Sequence, residues 1–270
     1  MSSHTSAPSD RRGAGRSVLR GPRSDWVRGF FSDVESEARV LCFPHAGGAA
    51  STYRPLAQLL APRIAVWAVQ YPGRQDRRTE PVLDSITAIS DRVVTSLAQL
   101  PDTDDDRPLA LFGHSMGALV AFEVARRLEA AGPRRPVRVF VSGRRAPSLP
   151  STQPSLHDKG DAALLAELRR LNGTAEEILA DEEQVRLFLP ALRGDYKAVE
   201  TYRPTGPAVL SCPITVFTGE QDAHVTPGGA ARWAAHTTAE CDMRTFPGGH
   251  FFVDTQRPQV ASAITSRLLS

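Results

Sequence analysis

The sequence predicts an α/β fold, in which a mostly parallel sheet is flanked by helices, and three observations lead to that prediction. From Arg39 onward, short apolar runs alternate with segments whose apolar residues recur at helical spacing. Such alternation is typical of a parallel sheet with right-handed crossovers. The 270 residues are 41% hydrophobic and 23% charged, which suits one large globular domain. A turn at 113–117 also places a serine between an apparent strand and a helix.

Composition argues against several other classes of protein. The formal charge of +2 is small and the arginines are scattered among acids, which does not favour nucleic-acid binding. The three cysteines, Cys42, Cys212 and Cys241, have no paired spacing, so we expect reduced thiols in a cytoplasmic protein. No motif resembles a zinc site, and no apolar run approaches the roughly 20 residues that span a bilayer. We therefore expect a monomer with no metal and no membrane contact.

The first 24 residues differ in composition from the rest. They are rich in Ser, Arg, Gly and Pro and lack the apolar region of a secretory signal. Such a segment cannot bury a core, so we predict a disordered lead-in at 1–24 and a folded domain at 25–270. A basic tail that binds an acidic partner is the alternative.

The first part of the domain is expected to contain two strands and two helices. The strands are predicted at 40–43 and 64–69, and the helices at 53–60 and 86–100. The loops 44–48 and 71–74 follow these strands, and ligands bind at the carboxyl ends of strands in such sheets. An acidic stretch at 102–106 is predicted to be a solvated turn.

The most informative element is the turn Gly113–Gly117. It follows the apolar run 109–112 and precedes a helical pattern at 118–131, which Gly132 and Pro133 end. A serine hydroxyl is a weak nucleophile that must be exposed, held rigidly and given a base. A strand-to-helix elbow holds the serine in a strained backbone geometry, and flanking glycines avoid clashes. We therefore predict Ser115 as a nucleophile; a glycine-rich turn with an N-capping serine is the alternative.

The sheet continues with a strand at 137–141, after which strands and helices no longer alternate. Residues 148–204 contain helical patterns and no clear strand, so we predict a helical insertion, or lid, over the strand ends. Its helical patterns fall at 161–171, 176–178, 183–192 and 196–202. An ordinary helical layer on the sheet is the alternative. The last elements are predicted as strands at 213–217 and 243–246 and a helix at 258–269.

A base for Ser115 is expected on a loop after the last strand, since this architecture has the chain order serine, acid, histidine. Of the seven histidines, His224 and His250 remain after those with other expected places are removed. His250 directly follows the final strand and two glycines that allow a close approach to the elbow. We predict His250 as the base; a surface histidine after a turn is the alternative.

The acid and the oxyanion donors follow from the same architecture. Asp222 lies just past the strand at 213–217 and is the predicted acid, with Glu220 as the local competitor. It would hold the imidazole in the correct tautomer. The backbone N–H groups of Met116 and Ala46 are the predicted oxyanion donors. His45, beside Ala46, is interpreted as a structural loop histidine.

Taken together, these residues resemble the type II thioesterases that accompany modular polyketide and nonribosomal peptide synthases. The resemblance covers roughly Val40 to the C-terminus. The matching segments are 43–48, 71–74 with 80–81, 113–117, 219–222 and 248–252, with 168–173 and 189–196 in the insertion.

The resemblance implies an α/β-hydrolase fold with a mobile helical lid. It implies a substrate held as a thioester on the phosphopantetheine arm of an acyl or peptidyl carrier protein, and no cofactor. The implied role is editing, the removal of aberrant or stalled acyl groups from the synthase. Because carrier proteins are usually acidic, we expect some of five arginines near the strand ends to contact them. These are Arg74, Arg77, Arg78, Arg144 and Arg145; a solvated arginine surface is the alternative.

Other functions are compatible with the same triad. A general carboxylesterase or lipase would act on small free esters, and an acyltransferase or cyclase would pass the acyl group to an alcohol or amine. A hydrolase fold without catalytic activity, used as a binding module, is the alternative from another class.

Overall fold

A computed structural model describes residues 24–31, 36–100, 106–132, 134–150, 154–171 and 181–269. These residues form one sheet of seven strands with the order β1-β3-β2-β4-β5-β6-β7. The strands are β1 (Val27–Phe30), β2 (Ala38–Phe43), β3 (Ile64–Val69), β4 (Leu109–His114), β5 (Arg138–Ser142), β6 (Ile214–Gly219) and β7 (Cys241–Phe246). The α-helices are α1 (Arg54–Leu60), α2 (Ile86–Ala98), α3 (Met116–Ala131), α4 (Asp161–Leu171), α5 (Glu182–Thr201), α6 (Pro227–Ala231), α7 (Phe252–Thr255) and α8 (Arg257–Leu268).

The central strands are buried on both faces, as expected for parallel strands between two layers of helices. Every residue of β2 and β3 is buried. The pleat sends alternate side chains to opposite sides. Leu41 and Phe43 join the apolar cluster formed with α2 and α3, whereas Val40 and Cys42 join the cluster formed with α1 and α8. The alternating strands and helices of the sequence therefore predicted this layered core correctly.

Sequence patterns missed strand β1 and the short helices α6 and α7. Strand β1 pairs antiparallel with β3 at the edge of the sheet, with Val27 opposite Val69. The backbone N–H of Gln70 also donates to the carbonyl of Trp26, at 2.9 Å. A four-residue strand is too short to show a period, and the free edge of β3 decides its place. Residues 1–23 of the predicted lead-in lie outside the described residues.

The described part of the segment between β5 and β6 contains the helices α4 and α5, and two predicted helices merge into one of them. Patterns at 183–192 and 196–202 form the single helix α5, which contains Pro190. Gly194 lies between the two patterns and packs closely: a Cβ there would lie 2.4 Å from Cγ1 of Val82. The predicted helical stretch 176–178 and most of the acidic turn at 102–106 lie outside the described residues.

Apolar packing fixes α4 and α5 against each other. Leu164 and Leu168 of α4 and Leu189 and Leu192 of α5 form a separate buried cluster. Ala46, in the loop after β2, packs against that cluster. The helices between β5 and β6 therefore lie over the carboxyl ends of the strands. Within the part of the chain that the structure describes, no helix is both long enough and apolar enough to cross a membrane.

Candidate active site

Ser115 lies between β4 and α3 with the backbone geometry of a strained elbow. Its φ is 54° and its ψ is −113°, a conformation that non-glycine residues rarely adopt. The backbone N–H of Ser115 donates to the carbonyl of Ser142 on β5, at 2.8 Å. Its side chain makes no capping hydrogen bond to α3, which argues against the alternative of an N-capping serine. Strain of this kind costs roughly 1–3 kcal/mol and clusters at functional sites.

The two glycines of the elbow are required by close backbone approach. A Cβ at Gly113 would lie 2.0 Å from the carbonyl oxygen of Gly117. A Cβ at Gly117 would lie 1.9 Å from the carbonyl oxygen of Phe43, at the end of β2. A side chain at Gly113 would push β4 and the first turn of α3 apart, and one at Gly117 would push α3 away from β2, so both glycines fix the position of Ser115.

His250 and Asp222 form a buried pair beside the elbow. The Nδ1 atom of His250 lies 2.9 Å from Oδ2 of Asp222, and the side chains are 6% and 0% exposed. The other carboxylate oxygen of Asp222 accepts the backbone N–H of His224 at 2.9 Å. Glu220, the predicted competitor, is exposed. The structure thus pairs His250 with Asp222 on the loops after β7 and β6.

Three further histidines surround this pair. The ring centroids of His114 and His224 lie 5.1 Å and 5.3 Å from that of His250. Burial lowers the pKa of His114 well below its ordinary value, with His250 and His45 acting in the same direction. Burial also lowers the pKa of His45 to about 4, with the charges of His250 and Arg74 adding to the effect. His45 and His114 are therefore neutral at pH 7.

Two backbone N–H groups of the loop after β2 already have acceptors within the protein. Gly47 donates to Oδ2 of Asp195 at 2.7 Å, and Gly48 donates to the carbonyl of His45 at 2.9 Å. Both of these N–H groups are used within the protein, so a donor for substrate must come from elsewhere in the loop. Ala46, the predicted donor, lines the same cavity as Ser115. Met116 begins α3, where an N–H group has no acceptor within its own helix.

A buried ion pair holds this loop against α5. Arg74 donates through Nη1 and Nη2 to the two carboxylate oxygens of Asp195, at 2.6 Å and 2.9 Å. The side chains are 7% and 0% exposed. Arg74 also donates to the carbonyl of Gly48 at 3.1 Å. Asp195 therefore fixes the loop twice, through the N–H of Gly47 and through Arg74.

Sequence reasoning missed Asp195 and misplaced two arginines. Arg74 is buried with Asp195, and Arg77 is buried and paired with Glu80 at 2.5 Å. Arg74 and Arg77 are therefore not among the arginines that contact a carrier protein, because neither reaches the surface. Arg78 is exposed, and for it the prediction stands untested. Apolar residues around Asp195 in α5 were a sign of burial that could have identified it.

One cavity connects these groups. It has a volume of about 330 Å³ and is lined by Ser115, His250, Ala46 and residues of α4 and α5. Arg144, on the loop after β5, and Tyr196, on α5, also line it. No group of three or more His, Cys, Asp or Glu side chains in the described ranges is arranged to hold a metal ion. The arrangement has the parts required for acyl transfer through serine.

Comparison with known proteins agrees with this chemistry. Residues 38–268 match the family model described as the thioesterase domain. A probable cadicidin biosynthesis thioesterase of Streptomyces griseus is 45% identical over 245 residues, which are 90% of this chain and 66% of that protein. Thioesterase PikA5 of Streptomyces venezuelae is 45% identical over 244 residues, 90% of this chain and 85% of that protein. The solved structure of the type II thioesterase BorB, from the borrelidin biosynthetic cluster, is 44% identical with a TM-score of 0.82, covering 91% and 98% of the two chains.

The chain belongs to the thioesterase family, and its sheet and helices have the α/β-hydrolase fold. It is accordingly a hydrolase of thioesters. The predicted resemblance to the type II thioesterases of polyketide and nonribosomal peptide pathways is confirmed. These comparisons do not favour the alternative of a general carboxylesterase or lipase.

Proposed function

We propose that Ser115, His250 and Asp222 are a catalytic triad that hydrolyses acyl groups from the phosphopantetheine arm of acyl or peptidyl carrier proteins. The role is editing, in which aberrant or stalled acyl groups are removed from a polyketide or nonribosomal peptide synthase. The supporting observation is the strained Ser115 elbow in one cavity with the 2.9 Å His250–Asp222 pair. The similarity to type II thioesterases supports the class of substrate.

The proposed mechanism has two half-reactions. His250 takes the hydroxyl proton of Ser115 while the Ser115 oxygen attacks the thioester carbonyl. The tetrahedral intermediate collapses as the carbon–sulfur bond breaks, and His250 gives its proton to the departing pantetheine thiol. His250 then takes a proton from water, whose oxygen attacks the acyl-serine. Collapse of the second intermediate releases the carboxylic acid and returns the proton to Ser115.

The oxyanion in both intermediates is held by the N–H groups of Ala46 and Met116. These donors belong to a loop and a helix start that are fixed before substrate arrives. Preorganised donors of this kind are worth roughly 10²–10³-fold in rate each. Every proton transfer is carried by His250, so the proposed reaction needs no cofactor.

The helices α4 and α5 serve as the lid in this proposal. Their residues line the cavity opposite Ser115, and the predicted insertion at 148–204 contains both. The acyl chain would lie between these helices and the loop after β5. The carrier protein would stay outside, with its arm reaching Ser115 from the surface.

Hydrolysis of acyl groups loaded on a carrier protein tests the proposal. Mass spectrometry would follow release of the acid from a panel of acyl-carrier proteins, with p-nitrophenyl esters as simple-ester substrates. We expect release of free acid, a higher kcat/KM for acyl-carrier thioesters, and loss of turnover in Ser115→Ala. A fluorophosphonate should label the wild type and not this variant.

The matched control is Ser51→Ala, which changes an exposed serine outside the cavity. It should hydrolyse and label like the wild type. Turnover by a folded Ser115→Ala variant would remove Ser115 from its role. Transfer of the acyl group to an alcohol or amine in place of water would support the acyltransferase alternative.

A further inference from the structure

Arg144 is a cation in the cavity of Ser115 that the proposed mechanism does not use. It stands two residues after Ser142, whose carbonyl accepts the N–H of Ser115. Its own carbonyl accepts the indole N–H of Trp233 at 2.8 Å, which anchors the backbone. The Nε atom of Arg144 is buried and has no hydrogen-bond partner among the residues described.

The carboxylates that line the cavity already have partners. Glu167 pairs with Arg170 at 2.8 Å and with His224 at 3.2 Å. Glu200 accepts the hydroxyl of Ser155 and the N–H of Leu156, each at 2.8 Å. Neither carboxylate lies within ion-pair distance of Arg144 in this arrangement. Among the described residues, the guanidinium of Arg144 therefore has no ion-pair partner in this cavity.

A guanidinium in this setting is costly for the free protein. Arg144 is half-buried, and withdrawing part of a charge from water without a partner is unfavourable. Burial lowers the pKa of Arg144 to about 10, with the charge of Arg145 adding to this and Tyr196 and Glu200 opposing it. Arg144 is thus still a cation at neutral pH. An anion that enters the cavity would relieve the cost through charge-assisted hydrogen bonds.

We propose that Arg144 binds a carboxylate at the far end of the acyl chain, so that the cavity accepts half-thioesters of dicarboxylic acids. This inference rests on the proposed function and names a substrate class for it. The phosphate of the pantetheine arm is the other anion of the substrate. It lies many bonds from the thioester, toward the carrier protein, whereas the backbone of Arg144 adjoins that of Ser115. A carboxylate on the acyl side is therefore the better match.

The test compares Arg144→Met with the wild type on matched acyl groups. The acidic substrates are malonyl, succinyl and glutaryl groups, each loaded on a carrier protein. Their neutral counterparts are 3-methylbutanoyl, 4-methylpentanoyl and 5-methylhexanoyl groups, which replace the carboxylate oxygens by methyls. Arg144→Met should lower kcat/KM for at least one acidic group by about 10- to 100-fold, as expected for a charged hydrogen bond. The neutral counterpart should change less than threefold.

Control variants test whether the effect is specific to the position and the charge of Arg144. Arg92→Met removes an exposed arginine on α2, outside the cavity, and should leave both substrate sets unchanged. Since Arg144→Met removes a half-buried cation that has no ion-pair partner among the described residues, the melting temperature of this variant should equal or exceed that of the wild type. Arg144→Lys, which keeps the charge, should retain part of the preference for acidic groups.

Two outcomes would overturn the inference. One is an equal effect of Arg144→Met on acidic and neutral groups. The other is an effect that appears with phosphopantetheine thioesters and disappears with pantetheine thioesters of the same acyl group, which would assign Arg144 to the phosphate. An active Ser115→Ala variant would instead contradict the proposed function, so the two failures are distinguishable.

Discussion

Two arginines flank the strand that leads to Ser115, and the fold treats them differently. Arg74 contacts the loop after β2, and its guanidinium forms an ion pair with the carboxylate of Asp195. Arg144 follows β5, and its Nε has no hydrogen-bond partner among the described residues. β2 and β5 are the two neighbours of β4 in the sheet. On one side a buried ion pair fixes the backbone, and on the other Arg144, without an ion-pair partner among the described residues, is the residue we propose to bind a ligand.

The largest expected effect is on the catalytic rate at Ser115, which lies between the two arginines. Asp222→Asn should lower kcat by about 10³- to 10⁴-fold, because an amide favours the wrong tautomer of His250. The fold should be kept, since the two side chains have the same shape. Stopped-flow measurement of thiol release from acyl-carrier proteins provides the rate.

Glu220→Gln is the control for this substitution, since Glu220 is exposed on the same loop. Its kcat should match that of the wild type. A slow Glu220→Gln variant beside a fast Asp222→Asn variant would show that the acid is Glu220, contrary to the pairing with His250.

The next largest expected effect is on stability, when Arg74 loses its ion-pair partner. Asp195→Ala would leave Arg74 buried without its partner and should lower the free energy of unfolding by about 3–5 kcal/mol. Urea denaturation measures the change. Glu80→Gln, at a pair whose acid is 43% exposed, should cost about 1 kcal/mol or less. Equal costs at the two sites would contradict the structural role of the buried pair.

A third variant separates stability from the position of the loop after β2. The double variant Arg74→Met with Asp195→Leu removes both charges and should stay within about 2 kcal/mol of the wild type. The N–H of Gly47 nevertheless loses its acceptor, so the neighbouring N–H of Ala46 is held less well. We expect kcat to fall about 10- to 100-fold with little change in KM. Wild-type kcat in a folded double variant would show that the pair has no part in positioning the loop.

The smallest expected effect is on how the free energy of unfolding depends on pH. His45, beside Arg74, has a folded-state pKa of about 4 against an ordinary value of 6.5. The unfolded chain therefore binds more protons between these values, and stability must fall as the pH drops from about 6.5 toward 4. One histidine contributes at most about 1.4 kcal/mol per pH unit. His45→Gln should make the loss of unfolding free energy between pH 7 and pH 5 smaller, and an unchanged slope would contradict this.

The alternation of strands and helices and the Ser115 elbow could be predicted from sequence because they are local. Burial on both faces gives β2 and β3 continuous apolar runs, and close approach requires the glycines of the elbow. The pairing of His250 with Asp222 could also be anticipated, since parallel strands bring their following loops to one edge of the sheet. Whether these residues catalyse the proposed reaction is a prediction that the variants above test.

Strand β1, the unbroken helix α5 and the fate of the arginines could not be read in the same way. The position of β1 depends on a free sheet edge, and Gly194 has its reason in Val82, more than a hundred residues earlier in the chain. The local sequence does not indicate whether an arginine side chain faces water, an aspartate or a cavity. Its environment is set by contacts between distant segments, such as that between Arg74 and Asp195. The sequence by itself therefore determined the fold class and the candidate chemistry, whereas the tertiary structure alone decided which charges are satisfied, because desolvation depends on everything packed around a group.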